Sequence, residues 1–381
     1  MELTPAKLTW AACFFAISAM HAGCARGLCA GVTRQPAVTT TVVSPRLSRT
    51  IPLPGVGGPA ERNGIAGRLD HMAYDAATDR LFLAAFSKGS LEVIDLKRGK
   101  LIKTISGIPE AQGVVVVPRE NRVFVTGGGD GTLHAYDTKS LESKGAVFAI
   151  EDADNVRFDA LLHRVLVGGG SKTQGAVVAF DPRTLIRVGE VGLSSHAESF
   201  QCDPSRARLF VNLPGDKLSD SDGIVVLADR DKKITVRTWR LSGVARNFPV
   251  ALDSAHGRVF VVGRKPARLL AIDTDTGAVV GMTPCVADSD DVFFDPTAGV
   301  VFVIGGGRRV SDRAGDPIAH DQAGGLDVVS VGNGGQLAKI ASISLPPHAR
   351  TGLFVPERHA IYVAVPIQAG KVAEVREYAL L

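Results

Sequence analysis

One phrase, an apolar run, a polar turn and a second apolar run, recurs seven times along this chain. It reads DHMAYDAATDRLFLA at residues 70–84, VVVVPRENRVFVTG at 114–127, VRFDALLHRVLVGG at 156–169 and FQCDPSRARLFVNL at 200–213. VALDSAHGRVFVVG (250–263), VFFDPTAGVVFVIG (292–305) and LFVPERHAIYVAV (353–365) complete the set. The turn position holds Asp75, Val117, Asp159, Asp203, Asp253, Asp295 and Val355, so the spacings are 42, 42, 44, 50, 42 and 60 residues. Self-similarity at such a period means units that bury their faces against one another.

Each unit continues into a second strand pair, as in LEVIDLKRGKLIKTI, LHAYDTKSLESKGAV, VVAFDPRTLIRVGEV, IVVLADRDKKITVRTW and LLAIDTDTGAVVGM. Alternating apolar positions mark half-buried strands, and the Asp, Gly and Pro clusters mark the turns between them. Four strands per unit at this period predict an all-β chain, a seven-bladed β-propeller of four-stranded antiparallel blades. The abundance of glycine (42 residues) and the scarcity of aromatics (6%) suit many short strands and tight turns. The last unit, ending in VAEVREYALL, lacks an outer strand. SRTIPLPG (48–55) resembles the outer strands LIKTISGI and KIASISLP and is expected to supply it, closing the ring between the termini and removing an open sheet edge.

The phrases GRLDHMAYD, DADNVRFD, HAESFQCD, RKPARLLAIDT and RTGLFVPERHAIYVAVP give the chain a resemblance to the exported YncE/YVTN-repeat group of seven-bladed bacterial propellers. The similarity covers residues 49–381, although the Tyr-Val-Thr-Asn tetrapeptide itself is replaced by VFVTG and LFVNL. The resemblance implies an exported propeller with a binding role.

Ahead of the repeats, LTWAACFFAISAMHA follows one lysine and precedes the small residues AGCARGLCAG. This apolar stretch is too short to span a bilayer comfortably and reads as a signal peptide over residues 1–30, cleaved between Ala22 and Ala30. Cys24 could accept a lipid, but His21 stands where a lipoprotein signal wants an aliphatic residue. The Thr- and Pro-rich residues 31–48 read as a flexible tether, and residues 49–381 as one propeller domain. The expected location is the periplasm or the exterior, with no membrane span in the mature chain, and a monomer is expected. Cys202 and Cys285 have no CxxC or zinc spacing and read as buried thiols. A net charge of +4 without a basic cluster disfavours nucleic acid as a partner.

In a propeller the segments leading into the inner strands converge on one face. Those segments supply Asp70, His71, Gln112, Asp154, Asn155, His196, Glu198, Ser199, Asn247, Asp290, Asp291, His348, Arg350 and Thr351. Pockets in this architecture lie at the channel mouth, so a ligand-binding ring of Asp70, His71, Gln112, Asp154, Asn155, Glu198, Asn247 and Asp290 is expected. Arg246, Arg264 and Arg350 share that face and suit a carboxylate or phosphate through paired hydrogen bonds, or else neutralise the neighbouring acids. No cofactor is required by the sequence. A divalent metal could be held by Glu198, Asp290, Asn155 and His71, as Ca²⁺ through oxygens or as a transition ion through imidazole and carboxylate.

Two functions follow. The first is a binding protein that takes a small, anionic ligand or a protein partner in the funnel. The second is a metal-dependent hydrolase, lactonase or lyase with His71 or His196 as general base. The long loop GGGRRVSDRAGDPIAHDQAGG (305–325) could close over the funnel through Arg308, Arg309, Asp316, His320 and Asp321, and LPGDKLSDSDG (213–223) is a shorter counterpart. GGGDG (127–131) precedes a strand rather than a helix, and the chain has no GKS or GKT, no GxSxG and no HExxH, which disfavours nucleotide-loop, serine hydrolase and zincin chemistry.

Overall fold

Each apolar phrase folds into the two inner strands of a blade because the second run is apolar at consecutive positions and is covered on both faces. We describe a computed structural model of the chain over residues 44–57, 67–214, 223–307, 309–311, 319–368 and 370–381. Its second strands are Arg80–Ala85, Arg122–Gly127, Arg164–Gly170, Arg208–Leu213, Arg258–Lys265, Val300–Gly305 and Ala360–Val365. Phe82, Phe124, Leu166, Phe210, Phe260, Phe302 and Tyr362 occupy the third place in these strands and are all buried. Each such side chain contributes about 2–3 kcal/mol by leaving water.

Seven four-stranded sheets result, antiparallel throughout, with the strands of blades one to six in sequence order from the inside out. The inner strands are Met72–Asp75, Ala111–Val117, Val156–Asp159, Phe200–Cys202, Ala245–Asp253, Ser289–Asp295 and Thr351–Val355. Blade seven takes its outer strand from the other end of the chain: Pro45–Pro52 pairs with Glu374–Leu380, Ile51 opposite Val375. This strand includes Pro45–Ser48, which the sequence reading assigned to the tether. Arg49 reinforces the closure by binding Glu377 at 2.6 Å within blade seven and the Leu96 carbonyl of blade one at 2.7 Å. The signal peptide, the rest of the tether and most of the loop around Asp316 lie outside the described residues, as does residue 308. Among the described residues no helix is long and apolar enough to cross a membrane.

The repeated aspartates act as turn caps. Asp75, Asp159, Asp203, Asp253 and Asp295 each accept hydrogen bonds from backbone N–H groups two or three residues on. Where valine replaces aspartate, at Val117 and Val355, a 3-10 turn beginning with proline does the same work and ends on a left-handed Asn121 or His359. A second regularity was not read from the sequence. Arg80, Arg122 and Arg258 open their strands and reach the outer turn of the next blade, donating to the carbonyls of Thr138, Pro182 and Gly332 at 2.6, 2.7 and 3.1 Å. Between blades three and four the same task falls to Arg230. All five of its N–H groups are engaged, by the Asp159 carboxylate and by the carbonyls of Asp203, Arg206 and Arg208. Cys202 and Cys285 are half-buried, and burial pushes both thiols up to about 12.

Candidate functional site

The strand registers assign two residues per blade to the rim of the channel. Aligning the blades on their inner-strand pairing places Asp70, Gln112, Asp154, Glu198, Phe248, Asp290 and Arg350 at the first rim position. His71, Gly113, Asn155, Ser199, Pro249, Asp291 and Thr351 follow at the second. Eleven of these fourteen residues were singled out in the sequence; Gly113, Phe248 and Pro249 were not. Blade five differs: Asn247 stands one residue ahead of the register, and Phe248 takes its place.

The second position closes the channel. His71 of blade one lies 3.3 Å from Asp291 of blade six through Nδ1, and Nε2 lies 3.5 Å from Asp70 and 3.3 Å from Asn155 Nδ2 of blade three. These contacts skip blades seven and two, whose residues at this level are the small Thr351 and Gly113. Gly113 is required there by close approach, because a Cβ would meet the Asp154 carbonyl at 2.4 Å and the Val156 nitrogen at 2.7 Å. His71 is 9% exposed, so the throat is filled rather than open. Burial opposes charge on this imidazole, but the carboxylates of Asp291 and Asp70 outweigh it and raise His71 to about 10. The imidazole ring is thus held between the carboxylates of Asp291 and Asp70.

On blades three and four, Asp154, His196 and Glu198 converge. His196 Nδ1 sits 2.9 Å from the Gly170 carbonyl, while Nε2 lies 3.4 Å from Asp154 Oδ2 and 3.8 Å from Glu198 Oε2. Burial raises both carboxyl groups above their usual range, helped by repulsion from Asp70 on Asp154 and from Asp154 on Glu198, in each case against the pull of His196. Burial opposes the charge of His196, and Asp154 and Glu198 more than offset it, lifting it to about 10. Gln112 donates to Asp152 Oδ1 at 3.4 Å beside this group.

Blades five to seven carry the arginines. Arg264 pairs with both Asp288 and Asp290, and Arg350 does the same from the other side. Burial disfavours charge on Asp290, yet the two guanidinium groups prevail and bring it down to about 2. Arg264 also stacks 3.7 Å above the Phe248 ring, and Arg246 lies 5.5 Å from the same ring. Arg246 is held in a left-handed backbone conformation (φ 56°), its Nε is buried without a hydrogen-bond partner, and it makes no ion pair among the described residues. Burial and the neighbouring Arg264 lower its pKa.

Of the two roles the sequence left open for them, Arg264 and Arg350 take the second and neutralise the neighbouring acids. Asp290 and His71, expected as metal ligands beside Glu198 and Asn155, are committed to arginine and to carboxylates. Asn155 donates to the Glu198 carbonyl at 2.9 Å. Several contributors went unread. Arg68 binds Asp70 at 2.8 Å above the Phe86 ring, and Asp288 bridges two arginines. Arg157, two residues beyond the rim, is electrically coupled to Asp291 and Asp154. Arg68 and Arg157 flank the quoted lead-ins, so the cation before or after each rim acid was the available signal. In the blade-six loop, 309–311 pairs with 319–321 as a small antiparallel ribbon.

No family model and no curated protein matches the chain. Among solved structures it is similar to a chain of a mitotic checkpoint complex, at 14% identity and a TM-score of 0.66, covering 94% of this chain and 98% of the other. A chain of the Kuenenia stuttgartiensis hydrazine synthase matches at 11% identity and a TM-score of 0.65, over 78% of this chain and 92% of that one. At these identities the likeness shows a shared fold, the seven-bladed β-propeller, and nothing of function.

Proposed function

We propose that the chain is an exported binding protein of the YncE/YVTN-like kind that takes a small anionic ligand at the mouth of the central funnel. Export rests on the signal-like residues 1–30. The observation that carries the ligand class is Arg246, whose Nε is buried without a hydrogen-bond partner and which makes no ion pair among the described residues, nearby Asp288 being taken by Arg264 and Arg350 and Glu198 lying beyond ion-pair distance. A carboxylate or phosphate oxygen supplies the acceptor that Nε lacks. The test is calorimetric titration of the purified protein with inorganic phosphate, citrate and succinate, repeated on Arg246→Gln. Saturable binding weakened about 10- to 100-fold by the substitution is expected, the worth of a charged hydrogen bond. Equal binding by wild type and variant, or none by either, defeats the reading.

A second reading, a metal-dependent hydrolase or lyase, is favoured by the convergence of Asp154, His196 and Glu198. It predicts turnover of an activated ester or lactone that depends on added zinc or manganese and disappears in Glu198→Gln. Absence of metal-dependent turnover removes it.

A further inference from the structure

Asp154, His196 and Glu198 present two carboxylate oxygens and one imidazole nitrogen within 4.8 Å of one another. A four-coordinate ion with bonds of about 2.0–2.1 Å holds its donors roughly 3.3 Å apart. The His196–Asp154 edge, 3.4 Å, already has that length, and the His196–Glu198 edge, 3.8 Å, needs only a small side-chain rotation.

Three independent features favour an ion over an ordinary ion pair. The Gly170 carbonyl accepts a hydrogen bond from His196 Nδ1–H, which aims Nε2 at the two carboxylates as second-layer partners do for metal-binding histidines. Asp154 is fixed through its backbone, its carbonyl accepting from Thr126 Oγ1 at 2.5 Å and from the Gly113 N–H at 3.1 Å. The Glu198 carboxylate has no partner but His196 among the described residues. Beside it, Asn155 Oδ1 is buried and unpartnered, an acceptor for a water on the ion.

We infer that Asp154, His196 and Glu198 form a site for one divalent transition ion of the zinc class, with a position left for water or ligand. The imidazole donor argues against Ca²⁺ and Mg²⁺, which prefer all-oxygen shells. Glu198 also acts electrostatically on Arg246, so the two assignments are told apart by their probes, a metal ion here and an anion at Arg246.

The test is titration of chelator-treated full-length protein with Zn²⁺ by calorimetry and with Co²⁺ by visible absorption. The expected result is one ion per chain, with the weak Co²⁺ bands of nitrogen and oxygen ligation rather than the intense bands of thiolate. His196→Gln and Glu198→Gln should each weaken binding by more than ~100-fold, beyond the roughly 10- to 100-fold that loss of a supporting partner costs. His163→Gln, on a distant turn, should leave it unchanged. Both site variants are checked for an unaltered melting temperature in chelator. Failure of wild type to bind either ion at millimolar concentration overturns the inference, as does full retention of affinity in both folded site variants.

Discussion

Replacing Arg230 by methionine isolates the energy of a buried ion pair that ties blade three to blade four. The side chains of Arg230 and Asp159 are 2% and 1% exposed. The substitution deletes five donors, leaves three carbonyls short of a partner and strands the Asp159 carboxylate out of water. Removing one member of a buried pair costs about 3–5 kcal/mol, mostly because the survivor remains charged and uncompensated. Unfolding entropy of about 2.1 cal/mol/K per residue gives the body, residues 45–381, roughly 0.7 kcal/mol/K. Arg230→Met should therefore lower the melting temperature by about 4–7 °C in differential scanning calorimetry. The double variant Asp159→Asn/Arg230→Met should recover part of that loss, since the amide keeps the oxygen that caps Leu161 and Leu162 while removing the stranded charge. Arg98→Gln, at a pair whose arginine is 68% exposed, should shift the midpoint by no more than about 1 °C. A shift for Arg230→Met as small as that control would refute the argument, because it would mean that water reaches the pair.

His71 gives a pH dependence. Its folded-state pKa, about 10, lies above the ordinary 6.5, so its stabilising contribution is complete below pH 6.5 and is lost as pH rises towards 10. In chelator, the melting temperature should fall across that window and fall less in His71→Gln; parallel profiles would show that His71 is not cationic in the fold. Gly113→Ala should cost about 1–3 kcal/mol by overpacking and displace the Asp154 backbone, read as a lowered melting temperature together with weakened Zn²⁺ binding. Unchanged values for both would contradict the close approach at Gly113. Deleting residues 1–52 removes the outer strand of blade seven and exposes the edge Glu374–Leu380. Light scattering should report association of the shortened chain, whereas a monodisperse product with unaltered melting would count against closure by that strand.

Blade number and strand count were legible because their causes are local. Alternation, turn chemistry and a repeated apolar strand act within about 45 residues of chain, and the repeat states them seven times. The same repetition exposed the lead-in residues and so marked most of the rim. Even the ring closure could be read, since SRTIPLPG carries the outer-strand pattern where no blade precedes it. The role of each rim residue could not be read. Whether Arg264 meets a ligand or Asp290, and whether His71 is a base or a wedged cation, depends on side chains from blades far apart in sequence. Electrostatic energy falls with distance and grows with burial. Only the closed ring sets those distances, bringing His71 to Asp291 and leaving Arg246 and Glu198 poorly matched. One-residue offsets decide the rest: in blade five the register turns Phe248 inward in place of Asn247, a shift that strand periodicity alone does not fix. The sequence by itself determined that a polar ring surrounds a common axis; the tertiary structure decided which of its charges cancel one another and which remain for a ligand or an ion.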